Sequence, residues 1–378
     1  MIMAFYIMSL LTGVLFLHPY TSYPLSLLMM RARPVSKPAP EARRPTASLL
    51  FSAYNEERAL PAKLDNLQAI KRLHPDLEIL AYSDMSTDNT LDLLKGRSDL
   101  LRVIPTMERT GKAMGMRRMV AEAKGEICIF TDANVLLSPD SVAPLLDYFH
   151  APAIGAVSGT LHYINDEAGT TARVGGLYWR LEEKIKALES RCGSMMGADG
   201  AIFAARRTLY PQVPFHLLDD MIASMSVLFH GKRLISAADV IAYERTTTDP
   251  RDEFRRKRRI ACRSYASYRH LSPQMARHFS LVDRYKFCSH KLLRWLGAPL
   301  ALVCVGSLSI ALRLDGRLAL LSMLWGVAAL IGVGAAVRAR PCAMLMEIAA
   351  AIWAAFLGVT DAWRGRSYQT WTPAKSRD

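Results

Sequence analysis

Residues 48–70 read SLLFSAYNEERALPAKLDNLQAI. Ser48–Ala53 is a short apolar run that stops at a polar cluster, as strands buried on both faces do. Leu60, Leu64, Leu67 and Ile70 follow at the spacing that gathers them on one side of a helix. The pattern recurs downstream. Glu78–Ser83, Leu101–Ile104 and Glu126–Thr131 are further apolar runs bounded by turn or polar residues. Val142, Leu145, Leu146 and Phe149 share a helical face after the start signal Ser138-Pro139-Asp140. Strand and helix in alternation predict an α/β fold with a doubly wound sheet, whose ligands bind beyond the carboxyl ends of the strands. A later amphipathic helix, Tyr178 to Arg191, sets Tyr178, Leu181, Ile185 and Leu188 on one side.

The flanks differ from this core. Of the 378 residues 51% are hydrophobic and 22% charged, an average that hides the ends. Met1–Leu17 has no charged side chain, and residues 295–360 are mostly Leu, Ala, Val, Ile and Gly. Met1 to about Met30 reads as one membrane span. A secretory signal peptide would need a basic leading segment and a small-residue cleavage site, and neither is evident. Residues 31–47, with Pro34, Pro38, Pro40 and Pro45, form a semi-rigid linker. Segments 295–312, 318–337 and 343–360 each approach the ~20 residues that cross a bilayer. They are parted by Arg313-Leu314-Asp315-Gly316-Arg317 and Arg338-Ala339-Arg340-Pro341.

The net charge of +14 is placed beside these spans. Arg31, Arg33, Lys37, Arg43 and Arg44 follow the first, while Arg251, Arg255, Arg256, Lys257, Arg258, Arg259 and Arg263 precede the C-terminal block. Basic residues beside spans mark the cytoplasmic side, so the central domain is expected to face the cytoplasm of a bacterial-type inner membrane. Three further spans would then put the tail outside, against Arg364, Arg366, Lys375 and Arg377. Either one segment is re-entrant or interfacial, or the tail departs from the charge bias. A nucleic-acid partner is not expected, because no recognition helix or aromatic-interleaved basic motif is present. The six cysteines contain no CxxC pair, which fits a reducing compartment without a zinc site or disulfide framework.

Three polar clusters stand at strand ends: Ser52-Ala53-Tyr54-Asn55-Glu56-Glu57, Ser83-Asp84-Met85-Ser86-Thr87-Asp88-Asn89-Thr90 and Thr131-Asp132-Ala133-Asn134. Ser86 and Asp88 alone read equally well as helix caps. The coincidence of three clusters at one sheet edge points to a shared crevice.

These motifs, in this order, resemble the family 2 inverting glycosyltransferases, and more narrowly the polysaccharide synthases that make hyaluronan, chitin or cellulose. The resemblance runs over about residues 48–300. It implies a GT-A fold with a mixed, Rossmann-like sheet and a nucleotide-sugar donor, a UDP-sugar above all. It also implies that Tyr54, Glu56, Asp84 and Lys112 hold the nucleotide, and that Asp132 and Asn134 hold Mg2+ or Mn2+. A diphosphate leaving group needs its charge neutralised, and such cations bind few protein oxygens and keep waters. Asn134 stands where a second aspartate is usual, so its ligation would be uncharged. Asp199 and Gly200, in Gly197-Ala198-Asp199-Gly200-Ala201, match an acceptor segment, or else form a plain turn. In Leu218-Asp219-Asp220 the last carboxylate matches the base that deprotonates the acceptor hydroxyl, with Asp219 orienting it. Two acidic residues favoured by a helix dipole are the bland alternative. Lys291-Leu292-Leu293-Arg294-Trp295 stands where processive relatives have QxxRW. Arg294 and Trp295 would contact diphosphate and sugar, or would anchor the chain at the membrane interface.

The expected organisation is therefore a membrane helix (1–30), linker (31–47), GT-A domain (48–250), basic interface segment (251–294) and C-terminal membrane region (295–378). The acceptor would be a growing glycan or a lipid carrier such as a polyprenyl phosphate, the latter elongated once. A non-catalytic membrane scaffold is the remaining alternative. Few spans enclose no wide channel, so export would fall to the bundle, an oligomer or a separate partner.

Overall fold

The structure, a computed structural model, describes residues 1–35, 43–165 and 167–370. Lys37, Pro38 and Pro40 of the linker, and Lys375 and Arg377 of the tail, lie outside the described residues. Eight strands form one sheet: β1 (Ala47–Ala53), β2 (Glu78–Ser83), β3 (Arg102–Pro105), β4 (Ile127–Asp132), β5 (Leu136–Leu137), β6 (Ile154–Tyr163), β7 (Ile202–Arg206) and β8 (Arg233–Glu244), in the order β3-β2-β1-β4-β7-β6-β8-β5. β1 is parallel to β2 and β4, and β2 to β3; β7 is antiparallel to β4 and β6; β8 is parallel to β6 and antiparallel to β5. The α/β class and the mixed, doubly wound sheet are as expected.

This topology brings the carboxyl ends of β1, β2, β3, β4, β6 and β8 to the same edge as the amino end of β7. The pairings Ser52↔Asp132, Ala53↔Ser83, Thr131↔Ile202 and Tyr163↔Glu244 fix that edge. Residues distant in sequence therefore share one rim.

The helices are α1 (Ile2–Leu17), α2 (Ser22–Met29), α3 (Leu60–Leu73), α4 (Thr90–Lys95), α5 (Lys112–Glu122), α6 (Val142–Asp147), α7 (Thr170–Arg191), α8 (Asp219–Phe229), α9 (Pro250–His278), α10 (Leu281–Phe287), α11 (Leu293–Trp295), α12 (Gly297–Leu314), α13 (Leu318–Ala336) and α14 (Arg340–Trp363). α3 buries Leu60, Leu64, Leu67 and Ile70 in the core that holds Leu49, Phe51 and Ile129. Each such leucine contributes about 2 kcal/mol by leaving water. α5 covers the other face through Met116 and Met119, beside Tyr82 and Phe130. A Cβ at Gly115 would lie 2.3 Å from the Tyr82 ring, so only glycine lets α5 settle this closely.

The N-terminal apolar stretch is not one continuous span. The helix long and apolar enough to cross a membrane covers Ile2–Tyr20. The chain breaks at Thr21 (φ −126°, ψ −81°), two residues after Pro19, which donates no helical hydrogen bond. Beyond the break α2 buries Tyr23 and Leu27 against Ile185 and Cys192 of α7 and its end. α7 corrects a second expectation: of its supposed apolar face only Ile185 is fully buried, and Glu182, Lys186 and Glu189 are buried with it.

Three C-terminal helices, Gly297–Leu314, Leu318–Ala336 and Arg340–Trp363, also have the length and apolarity of spans. α14 nevertheless lies along the α/β domain. Thr171 donates to Glu347 (3.2 Å), a Cβ on Gly358 would meet the Arg258 carbonyl at 2.3 Å, and Arg258 donates to both oxygens of Asp361 (2.6 and 2.9 Å). From Glu347 to Asp361 is about 21 Å of helix, so α14 is in lengthwise contact with α7 and α9 rather than touching them at one end.

Candidate active site

The loops that leave β1 and β2 brace each other. The Asn55 amide donates to Ser86 Oγ (3.2 Å), Glu57 to Asp88 (3.2 Å), Glu56 to Thr90 Oγ1 (2.8 Å), and Thr87 to Asn55 Oδ1 (2.8 Å). Asp88, one residue before Asn89, the N-cap of α4, also accepts from the Thr90 amide (3.0 Å), and Ser86 ties two loops together. Asn55 (φ 52°) and Met85 (φ 55°) are both left-handed, a conformation that non-glycine residues adopt at a cost.

Asp84 is fully buried and accepts from the amides of Thr110 (2.8 Å) and Gly111 (3.0 and 3.1 Å). It thereby organises the turn that leads into α5. Arg109, from the same turn, lies 3.8 Å from Asp84 and sets its guanidinium 3.2 Å above the Tyr54 ring. Glu56 is buried nearby.

Lys112 opens α5 and donates to Asp132 at 2.6 Å. Gly200 joins them: a Cβ there would stand 2.9 Å from Asp220 Oδ2 and 3.1 Å from Lys112 Nζ. Lys112, Asp132, Gly200 and Asp220 therefore meet at one point of the rim. Asp199 sits beside it, accepting from the Ala201 amide (3.0 Å). The start of α8, with Asp219 and Asp220, is held by α9: Arg263 donates to the Leu217 carbonyl and Ser267 Oγ accepts from the Leu218 amide (3.0 Å). Burial, followed by the charges of Asp219 and Asp199, pushes Asp220 up to about 7, although Lys112 opposes this. Burial works against the Lys112 charge, but Asp132, Asp219 and Asp220 outweigh it and raise its pKa.

Gly200→Ala tests this packing. The methyl must displace the Asp220 carboxylate or the Lys112 ammonium by several tenths of an ångström, and small misplacements of reacting groups cost about a hundredfold in rate. The variant should melt within a few degrees of the parent yet lose most turnover; unchanged kinetics would separate Gly200 from the site.

Asn134 donates its amide to Glu244 at 2.9 Å. Among the described residues no group of three or more His, Cys, Asp or Glu is arranged to hold a metal alone. Asp132, with a carboxylate about one-third exposed, fits a hard cation whose other ligands are phosphate oxygens and water. A cation caged by protein alone does not fit. Lys63 was not anticipated. It is fully buried beneath this turn, donating to the Val135 carbonyl (2.6 Å) and Thr131 Oγ1 (3.4 Å), and burial lowers it to about 7. Its signal in the sequence is a lysine inside the Leu60–Leu64–Leu67–Ile70 stripe.

The basic run divides by partner. Arg256 lies 3.5 Å from Glu253, and Glu253, Tyr163, Glu244 and Asp199 raise its pKa, against burial, next to the acceptor-side rim. Arg258 is committed to Asp361, and Arg263 to the Leu217 carbonyl.

Arg294 and Trp295 do not join the rim contacts. Arg294 donates to Glu182 and Tyr178. His290 bridges Glu182 (2.9 Å) and Glu189 (2.8 Å), Lys291 reaches Glu182 (3.2 Å), and Tyr23 donates to Glu189. This buried network explains the polar face of α7. Trp295 is buried among Tyr265, Tyr268 and Phe287, which leaves no face for a sugar ring. Both residues sit in the packing that joins α7, α9 and the C-terminal helices.

Residues 48–213 match the profile of Glycosyl transferase family 2. A mannosyltransferase from Pyrobaculum calidifontis, solved in complex with GDP-Man and Mn2+, superposes with a TM-score of 0.72 over 96% of this chain and 99% of that one, at 19% identity. An N-acetylglucosaminyltransferase of Sinorhizobium fredii is 25% identical over 170 residues, 43% of this chain and 41% of the relative. A dolichyl-phosphate beta-glucosyltransferase of Drosophila melanogaster is 32% identical over 98 residues, 23% of this chain and 30% of the relative. The chain thus spans less than half the length of the curated relatives it matches. Residues 48–213 are thus similar to Glycosyl transferase family 2, and the chain has the GT-A fold.

Proposed function

We propose, from this family 2 similarity and the groups gathered on the rim, that the protein transfers a sugar from a nucleotide-sugar to a hydroxyl acceptor with inversion. The observation that carries the reading is the meeting of Lys112, Asp132, Gly200 and Asp220. Tyr54, Glu56 and the turn held by Asp84 form the nucleoside end. Lys112 faces the diphosphate end. Asp132, with Asn134 beside it, would hold Mg2+ or Mn2+ there, and such a cation neutralises the leaving diphosphate. Asp220 accepts the acceptor proton, and burial, followed by the Asp219 charge, keeps its pKa high enough to do so near neutrality. Gly200 leaves room for the acceptor beside the base.

Charge favours a hydroxyl over a phosphate acceptor. Asp199, Asp219 and Asp220 cluster where the acceptor enters, and after burial their repulsion adds to the raised Asp220 pKa. A phosphate nucleophile would add to that repulsion and needs no base. The nearby cations have carboxylate partners already, Lys186 with Glu183 and Arg256 with Glu253. A glycan or other lipid-linked hydroxyl is the acceptor this rim suits, ahead of a polyprenyl phosphate.

In a bacterial-type inner membrane, α1, α12 and α13 would span, while α14 lies at the interface against the cytoplasmic domain. That arrangement returns Arg364 and Arg366 to the cytoplasmic side, as basic residues require.

Purified protein in detergent, given Mg2+ or Mn2+, a panel of UDP- and GDP-sugars and glycan acceptors, should release nucleoside diphosphate and yield a product whose length separates polymerisation from single addition. No release with any donor would defeat the proposal. Because the base must be ionised, kcat/KM should fall as pH drops through about 7 and reach a plateau above it. Asp219→Asn, which removes a like charge, should move that limb to lower pH.

A further inference from the structure

Beyond α14 the chain turns back to the turn before α5. Asp361 is fully buried and acts as a hub. Besides the two bonds from Arg258, it accepts from Arg366 Nη1 (3.1 Å) and Tyr368 OH (3.1 Å). Cys262 Sγ of α9 donates to the Arg366 carbonyl at 3.4 Å. These bonds direct the segment so that the Gln369 carbonyl lies against Gly111, where a Cβ would come within 2.6 Å of it. Gly111 has φ +83° and gives its amide to Asp84. The turn is therefore held from the sheet side by Asp84 and from the outside by Gln369, and the next residue, Lys112, reaches Asp132.

We infer that residues 364–370 are a positioning strap that completes the donor side of the site by clamping the Gly111 turn. The strap lies wholly outside residues 48–213, which match the family profile, and its role as a donor-site element rests on the function proposed above. Its action is indirect. It fixes the backbone that carries Lys112, so its loss weakens donor binding more than turnover. It also accounts for an aspartate in so apolar a helix: Asp361 fastens α9 and the strap together. A glycine at 111 is needed twice, for its left-handed conformation and for the room the Gln369 carbonyl occupies.

The test uses the full chain with Arg366→Ala and Tyr368→Phe combined. This removes the strap's side-chain tethers and leaves the Arg258–Asp361 pair, so α14 stays docked; Arg366 is more than half exposed. Three quantities are read in detergent: hydrogen exchange at the Thr110 and Gly111 amides, the Kd for UDP and for GDP, and donor KM with kcat. Exchange at both amides should speed up. Nucleotide Kd and donor KM should rise about five- to tenfold, in line with one or two lost hydrogen bonds, with kcat within about twofold. Asp361→Asn should shift the same quantities further. Unchanged exchange and unchanged Kd would overturn the inference. Tighter nucleotide binding or faster turnover would overturn it too, since the segment would then obstruct the site. If the parent protein binds neither UDP nor GDP, the proposed function fails, and the exchange rates still decide whether the strap clamps the turn.

Discussion

Asp220→Asn is expected to lower transfer by about 10³-fold while the Kd for nucleoside diphosphate changes by less than threefold. The size follows from what the residue does. A positioned general base contributes about 10²–10⁴, and the asparagine amide is isosteric but accepts no proton at neutral pH. The geometry limits collateral damage, since among the described residues Oδ1 accepts from the Met221 amide (2.6 Å) and the amide oxygen can keep that bond. Removing one of the clustered carboxylates also relieves repulsion, so stability should hold or rise. The raised pKa gives the sign: ionising Asp220 in the fold is disfavoured, and its contribution to stability is fully present only at pH below the unfolded carboxyl value and is lost as pH rises through about 7. The variant should therefore melt no lower than the parent at pH 8. Initial rates and calorimetric titration decide the matter. Near-normal turnover would move the base elsewhere, with Asp219 the next candidate.

The rim was legible because its determinants are local. β1 and β4 are runs of apolar residues that stop at polar ones, and a parallel sheet turns that one-dimensional pattern into a shared edge. Tyr54, Asp84 and Asp132 lie in the polar clusters that end those strands, whereas Asp220, at the start of α8, stands out only through the family resemblance. Features that depend on partners distant in sequence stayed hidden. Glu182 and Glu189 look solvent-facing by their charge, yet His290, Lys291 and Arg294 satisfy them inside the protein. Trp295 fell in a motif position, but three aromatic neighbours from α9 and α10 would have had to be known to see it as packing. α14 has the length and apolarity of a span, and hydropathy cannot register that Arg258 waits opposite Asp361 near its end. The N-terminal stretch shows the converse: Pro19 was a readable stop signal, outweighed by the apolar residues on both sides of it. Lys63 was readable too, as a charge on an otherwise leucine-lined face.

Asp132→Asn should have the second-largest effect, a loss of about 10²–10³-fold in kcat/KM, and it separates two ways of neutralising the diphosphate. The carboxylate is the anchor of the proposed cation and the partner of Lys112 at 2.6 Å. Losing it removes a charged ligand, and Asn134, already donating to Glu244, supplies at best a neutral oxygen. Electrostatic groups aimed at a developing charge are each worth about 2.7–4 kcal/mol, which is the range given. At the same time Lys112 is released from its ion pair and is free to approach the diphosphate. If a divalent cation carries the reaction, the variant should need far more Mn2+ for half-maximal rate, and excess cation should restore part of kcat. If Lys112 alone neutralises the leaving group, the parent should work in the presence of a chelator and Asp132→Asn should gain nucleotide affinity with no change in cation requirement. Titrating Mn2+ against both proteins, with UDP and GDP binding measured in parallel, distinguishes these outcomes. A parent indifferent to chelation would remove the cation from the site and leave Lys112 as the group that holds the leaving diphosphate.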